Sequence, residues 1–288
     1  AALSARRTMI GSRITQMKTR TRNSNLIAAI VLIATVFAIA RLVFAADQKQ
    51  ARVTEVVRDV HVLTPQRAAH SAVVNETVHE GNAVRTGTDS RSELLFADQT
   101  LARLGANTVF SFGAAAHTYD LGSGAILMTA PKNAGTVKVS SGVATCAISG
   151  FTGIWEAHSK FWNKVLVIEG DGDVWLNKNP GDKRHMHSRQ ILVFPPNATV
   201  LPQPQEFDVC KVMNNALLIT GFTNQLPSWP LCLAQCNLQR SGPVTTNLID
   251  PTHQDIVDQS ISARPTPERT RPPPQPTIIP SGARFGRP

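Results

Sequence analysis

The residues of this chain most able to do chemistry lie between 169 and 187. His185-Met186-His187 sets two imidazoles at i and i+2, and on a strand that spacing puts both on one face. Imidazole nitrogens bind divalent metals, but a site needs a third donor and supporting hydrogen bonds. The neighbours Asp182, Lys183, Arg184 and Arg189 are mostly basic, so the local sequence reads as an exposed hairpin rather than a metal site. Just upstream, "EGDGDVW" (169–175) alternates Glu169, Asp171 and Asp173. It resembles part of a calcium loop but lacks the downstream bidentate Glu of an EF-hand. Acidic residues beside glycines at a strand end are ordinarily turn formers. No metal ligand, cofactor or catalytic residue is assigned on these grounds.

The remaining reactive residue types form no constellation. Ser90 sits beside Asp89 in "GTDSRS", but adjacent residues of an extended chain point to opposite faces. There is no Gly-x-Ser-x-Gly elbow, phosphate loop or His-Glu-x-x-His. Without a nucleophile–base pair the chain reads as a non-enzyme. Trp155 and Trp162, in "FTGIWEAHSKFWNK", could line a ligand surface, but Trp in a β domain is more often part of its core. The four cysteines are Cys146, Cys210, Cys232 and Cys236. Cys146 lies in a strand-like stretch, where a small buried thiol is the default. Cys232 and Cys236 fall four apart on a helix-like segment. Their side chains share a face there, but their Cβ vectors are nearly parallel and fit a bridge poorly. Structural cysteines are the main reading, and Cys210 to Cys232 or Cys236 is the pairing worth testing.

What must position these residues is a chain of 288 residues with a formal charge of +9. The charge belongs to the ends. Residues 1–46 hold seven basic residues and no acid, and 262–288 hold five Arg and one Glu. Residues 47–261 hold 17 basic and 19 acidic residues. A nucleic-acid-binding domain carries its basic stripe on the folded part, so that class is excluded. Six basic residues, Arg6 to Arg22, precede the apolar run Leu26–Ala40, "LIAAIVLIATVFAIA", which Arg41 interrupts. A lone spanning helix wants about 20 apolar residues. The short run, its basic flank and the small residues after it fit a secretory signal better, with cleavage after Ala40 or Ala45. An uncleaved anchor over 26–46 is the rival. Both leave the rest of the chain outside the cytoplasm. Met17 would open an ordinary signal sequence, and Arg6-Arg7 lies too far from the apolar run for a twin-arginine signal.

From Arg52 to about Val200 the pattern is β. Short apolar or alternating runs such as "VTEVVRDVHVL", "SELLF", "TVFSF", "AILMT", "KVLVIEG" and "QILVF" are separated by Gly, Asn and Asp turns. In "SELLF", Ser92, Leu94 and Phe96 face one way and Glu93 and Leu95 the other. "YDLGSGAILMT" (119–129) and "VIEGDGDVWLN" (167–177) echo one another, aligning Gly122 and Gly124 with Gly170 and Gly172. The echo suggests a repeated strand–Gly turn–strand unit. After Pro195-Pro196 the period turns helical, over 205–221 with Gly221 as a stop and over 230–239 with Pro230 in the first turn. Residues 262–288 hold eight prolines and read as an extended or disordered tail.

The run "VHEGNAVRTGTDSRSELLFADQTLARLGANTVFSF" (78–112) resembles the core signature of the FecR domain, an extracytoplasmic β module. The positions that carry the likeness are Gly81, Thr86, Gly87, Ser90, Phe96, Asp98, Leu104, Gly105 and Asn107. It continues through "LGSGAIL", "VKVSSGVATCAISG" with Gly150, "KVLVIEGDGDVWL" with Glu169 and Gly170, and "SRQILV". The family's Gly-Thr reads Gly150-Phe151 here, and its Ala-Gly-Gln reads Ser188-Arg189-Gln190. The resemblance implies that these residues shape turns and strands rather than hold a substrate. The family includes regulators of siderophore uptake that carry a helical cytoplasmic domain before the membrane span. Only 25 residues precede Leu26 here, so the expected likeness is to the exported, stand-alone members.

The expected protein is therefore all-β, a FecR-like stacked β-sheet or β-solenoid-like domain over 47–200. It follows a signal peptide or anchor (1–46) and is completed by a helical addition (201–241) and a Pro-rich disordered tail (242–288). The expected role is non-catalytic binding, scaffolding or sensing in the bacterial cell envelope. The partner would be an envelope protein or cell-wall ligand, with no cofactor, no nucleic acid and no membrane contact beyond 26–46. A membrane-anchored signal transducer resembling iron-uptake regulators is one alternative. An envelope metal-binding protein or enzyme is the other.

Overall fold

The computed structural model describes residues 50–242 except 114, 116 and 159, together with 248 and 249. The apolar run before Ala46 and residues 243–247 and 250–288 lie outside the described residues; Ile249, expected in the disordered tail, instead forms a parallel bridge with Phe207, its carbonyl accepting from the Asp208 amide at 2.9 Å. Among the described residues no helix is long and apolar enough to cross a membrane.

Fifteen strands form one continuous, mostly antiparallel hydrogen-bonded sheet; a 3-10 turn at Lys132–Ala134 interrupts it, and the α-helices among the described residues follow its last strand. The first eight strands are short: β1 (Gln50–Val57), β2 (Val60–Thr64), β3 (Arg67–Ser71), β4 (Thr77–His79), β5 (Ala83–Thr86), β6 (Arg91–Phe96), β7 (Leu101–Leu104) and β8 (Val109–Phe112). Then come β9 (Thr118–Ala130), β10 (Thr136–Ser141), β11 (Ala144–His158), β12 (Trp162–Leu176), β13 (Asn179–Met186), β14 (Gln190–Phe194) and β15 (Gln205–Glu206). The main path runs β15-β14-β12-β11-β10-β9-β7-β6-β1-β4, and β13 branches from it by pairing with β12. The all-β expectation with a short helical addition holds.

Two expected strand pairs are single long strands. "HTYDL" and "AILMT" join in β9, and "KVLVIEG" and "DVWLN" in β12, which ends at Leu176, while "VATCAIS" runs on through "FTGIW" in β11. Their glycines are bends within strands, which corrects the expected strand–Gly turn–strand unit. Gly124 has φ +88° and Gly170 has φ +103°, a region where only glycine is unstrained. The echoed motifs bend at different glycines: Gly124 is the second of its pair and Gly170 the first of its pair.

Both faces of the central strands are apolar, which is why they read as continuous runs such as "AILM" and "KVLVI". Ile126 and Met128 of β9, Trp155 of β11, Val165 and Val167 of β12, and Leu192 and Phe194 of β14 face one core. Phe96, Phe112 and Tyr119 pack edge-on within it, with centroids 5.1 Å apart. The alternate residues Leu127, Ile154, Leu166, Ile168, Ile191 and Val193 face a second core. The helices α1 (Val209–Asn215), α2 (Leu217–Thr220) and α3 (Trp229–Ser241) cover that second face. Phe207, Val209, Val212, Met213, Leu218, Ile219, Cys232 and Cys236 supply the apolar cover. The expected helix over 205–221 is broken at Ala216 (ψ 120°), which ends α1 and starts α2, and Gly221 stops α2.

A buried ion pair ties these helices to the sheet. Glu93 and Arg103 are opposite one another across β6 and β7. Arg103 is fully buried, and its Nε donates to Glu93 Oε2 at 2.8 Å. Its terminal nitrogens donate to the carbonyls of Leu218, Ile219 and Asn224, and its guanidinium lies 4.4 Å from the Phe222 ring centroid. Thr54 Oγ1 donates to the other carboxylate oxygen of Glu93 at 2.7 Å. Cys210 of α1 and Cys236 of α3 form a disulfide, and Cys146 and Cys232 are buried free thiols. Of the two pairings left open by the sequence, the Cys236 one is realised.

Arg103→Ala strands the Glu93 carboxylate in the core. It is expected to cost about 3–5 kcal/mol, read from the urea midpoint of the purified chain. Thiol titration supplies a second check. Burial raises the pKa of both free cysteines, and a buried thiol is inert. The native oxidised chain is expected to titrate no thiol, the unfolded oxidised chain two, and the unfolded reduced chain all four. Cys210→Ser is expected to cost about 2–4 kcal/mol.

Candidate functional site

The signature residues of the β domain are structural where the structure places them. Gly87 approaches Asp59 so closely that a Cβ would collide with its carboxylate. The Ser90 hydroxyl, fully buried, donates to the Thr88 carbonyl at 2.9 Å and accepts from the Asp59 amide at 3.1 Å. Thr86 Oγ1 donates to the Gly105 carbonyl at 2.5 Å and accepts from the Thr108 amide at 2.9 Å. Asn107 takes the left-handed conformation (φ 53°) that turns β7 toward β8, and Gly81 (φ 77°) opens the turn before β5. Asp98 caps the β6–β7 turn through the Thr100 amide and hydroxyl. Phe96 and Leu104 are core residues, and Gly105 packs against the Ala125 carbonyl. Gly150 has φ 58°, and its Cβ would meet Lys132 at 2.6 Å.

Glu169 and Gly170 lie elsewhere. Glu169 lines a cleft of about 210 Å³ between the sheet and the start of α3, with Lys132, Phe151, Pro227 and Leu231. Burial raises its pKa, Lys132 opposes that, and Asp171 adds to it. Behind the cleft, Thr152 Oγ1 bonds Thr129 Oγ1 at 3.2 Å and Ser228 Oγ at 2.7 Å.

The strongest concentration of chemistry is on the β12–β13 hairpin. Asp173 pairs with His185 and Gly172 with Met186 in its register. The two motifs that looked incomplete in the sequence therefore face each other. His185 Nδ1 lies 2.9 Å from Asp173 Oδ1, and His187 Nδ1 lies 2.8 Å from Asp171 Oδ1. The two rings meet edge to face with centroids 4.6 Å apart. Asp171, His185 and His187 each bring a ligand-type atom within 4.8 Å of the others. All four side chains are substantially exposed, from 40% for Asp173 to 62% for Asp171 and His187.

The backbone under this cluster is pinned. Met186 and Val174 point to the other side and are fully buried. A Cβ on Gly172 would collide with Ile148, and one on Gly170 would meet the Gly150 carbonyl at 2.8 Å. The Ser188 hydroxyl accepts from the Gly170 amide at 3.0 Å and donates to its carbonyl at 3.1 Å. Gln190 Oε1 accepts from the His187 amide at 2.8 Å. The basic neighbours are drawn away: Arg184 bonds Asp182 at 2.5 Å, and Lys183 lies over the Trp175 ring. The third donor that the sequence lacked near the histidines is Asp171, twelve or more residues away and brought in by strand pairing. Neither tryptophan forms an open platform: Trp155 is buried, and Trp162 stacks with His158 and Lys164.

Because the folded chain raises the Glu169 pKa, its charged form disfavours folding. Stability is full below the unfolded value near 4.5 and declines as pH rises through the folded value. Glu169→Gln is expected to raise the melting temperature at pH 7 and to leave it unchanged near pH 3, below both the unfolded and the folded value, where the carboxyl is protonated in both states.

No curated protein matches this chain. Two crystal structures of a candidate anti-sigma factor from Parabacteroides distasonis ATCC 8503 are similar to it. One superposes with a TM-score of 0.41 at 14% identity, covering 63% of this chain and 90% of that one. The other gives 0.41 at 12% identity, covering 63% and 88%. Residues 82–171, from the turn before β5 to Asp171 in β12, match the family model described as FecR protein.

Proposed function

We propose that this protein is an exported, non-catalytic component of the bacterial cell envelope whose FecR domain binds or scaffolds a regulatory protein. The observation that carries this reading is the FecR match over residues 82–171. The basic flank followed by Leu26–Ala40 supports export. The Cys210–Cys236 disulfide supports an oxidising compartment, because such bonds form and persist outside the reducing cytosol. Most of the signature residues hold turns and core positions, which fits a domain that presents a surface.

The test is the intact mass and amino-terminal sequence of the protein recovered from the envelope fraction. A start at Arg41 or Ala46 is expected, and it would make the protein a released, soluble module. An intact apolar helix would instead favour the anchored transducer. Recovery of the oxidisable chain from the cytosol alone would remove both readings.

A further inference from the structure

We propose that Asp171, His185 and His187 form a binding site for a divalent late first-row transition ion, with Zn²⁺ as the reference ion. The donor set is two imidazoles and one carboxylate, the nitrogen and oxygen ligands that suit Zn²⁺, Ni²⁺ and Cu²⁺ rather than Ca²⁺ or Mg²⁺. Three protein donors plus water complete the tetrahedral shell of an open zinc site.

The geometry carries the assignment in three ways. Asp171 and His185 come from two paired strands, and His187 follows β13 directly, with its amide held by Gln190 Oε1 at 2.8 Å. Their ligand atoms already lie within 4.8 Å of one another. A tetrahedral ion with bonds near 2.0–2.1 Å wants its donors about 3.3 Å apart. The exposed side chains can close that gap by small rotations over a pinned backbone. Finally, Asp173 engages His185 through Nδ1 at 2.9 Å. That contact leaves Nε2 as the ligand atom and is the carboxylate–histidine arrangement that orients metal-binding rings. His187 and Asp171 now share a hydrogen bond of 2.8 Å, and the ion takes the place of the proton between them. Two carboxylates, Asp171 and Asp173, face the site, and of the nearby cations Arg184 is paired with Asp182 while Lys183 extends over the Trp175 ring. Protons and metal compete for the same nitrogens, so binding weakens as pH falls.

The experiment is competition between the purified full chain and a chromogenic chelator for Zn²⁺ at neutral pH, with circular dichroism as the folding control. One equivalent is expected to bind the wild type, reversibly on adding excess chelator. His185→Ala/His187→Ala is expected to abolish that equivalent. Asp173→Asn keeps every ligand and is expected to weaken it by about 10–100-fold, the usual effect of removing an orienting carboxylate. No binding by the wild type overturns the proposal. Unchanged binding by the folded double variant overturns it too, because the ion then sits on other residues. An unaltered affinity in Asp173→Asn removes the orienting role assigned to that carboxylate.

Discussion

A charged side chain with no exposed surface governs this fold. Arg103 has five N–H donors and no exposed surface, so its partners must come from the protein. Glu93 supplies one from the neighbouring strand, and the carbonyls of Leu218, Ile219 and Asn224 supply three more from the helical segment. This joins two decisions that are usually separate. A one-residue slip between β6 and β7 would turn Arg103 into the aromatic core and part it from Glu93. A shift of α2 would leave its guanidinium short of acceptors. Strand register and helix placement are thus set together. Glu55 adds a tie at the rim of the same junction by accepting from the Thr223 amide and hydroxyl.

The parts of the fold legible in the sequence are those decided locally. The turns around Gly87–Ser90, Asp98–Gln99 and Gly105–Asn107 announce themselves because their residues tolerate left-handed backbone or bond their own main chain. What was not legible is decided at a distance. Glu93 and Leu95 alternate with the core residues of "SELLF", as surface residues would, yet Glu93 is buried by a segment over 120 residues downstream. The glycines of β9 and β12 looked like turns, because a positive-φ glycine marks a bend whether or not the strand continues beyond it. The choice between Cys232 and Cys236 was equally closed to inspection. The two share one face of α3 a single turn apart, and only the docking of α1 selects Cys236. Cys232 sits instead against the Ser228 hydroxyl, beside the Thr152 network.

The hairpin cluster shows the same limit from the other side. "EGDGDVW" and "HMH" each lacked ligands when read alone, and the deficiency of each is made up by the other. The register that joins them depends on an irregularity between Trp175 and Leu176, which no local pattern encodes. Neither motif would have drawn the other in by spacing. The FecR match ends at Asp171, so three of the four cluster residues lie beyond it.

The separation of Arg103 from its acceptors also has a temporal side. The carbonyl of Asn224 is 121 residues downstream. At synthesis rates of about 5–20 residues per second, that is an interval of roughly 6–24 s. Throughout it, β6 and β7 exist without the segment that satisfies the guanidinium, and the second apolar face of the sheet has no cover. The nascent chain must pass through a state with a solvated Arg103 and an open hydrophobic surface. The last 40 residues of the folded part act as the step that closes it. A chain halted before residue 217 would be a sheet held open, and a ready client for any factor that captures exposed apolar strands.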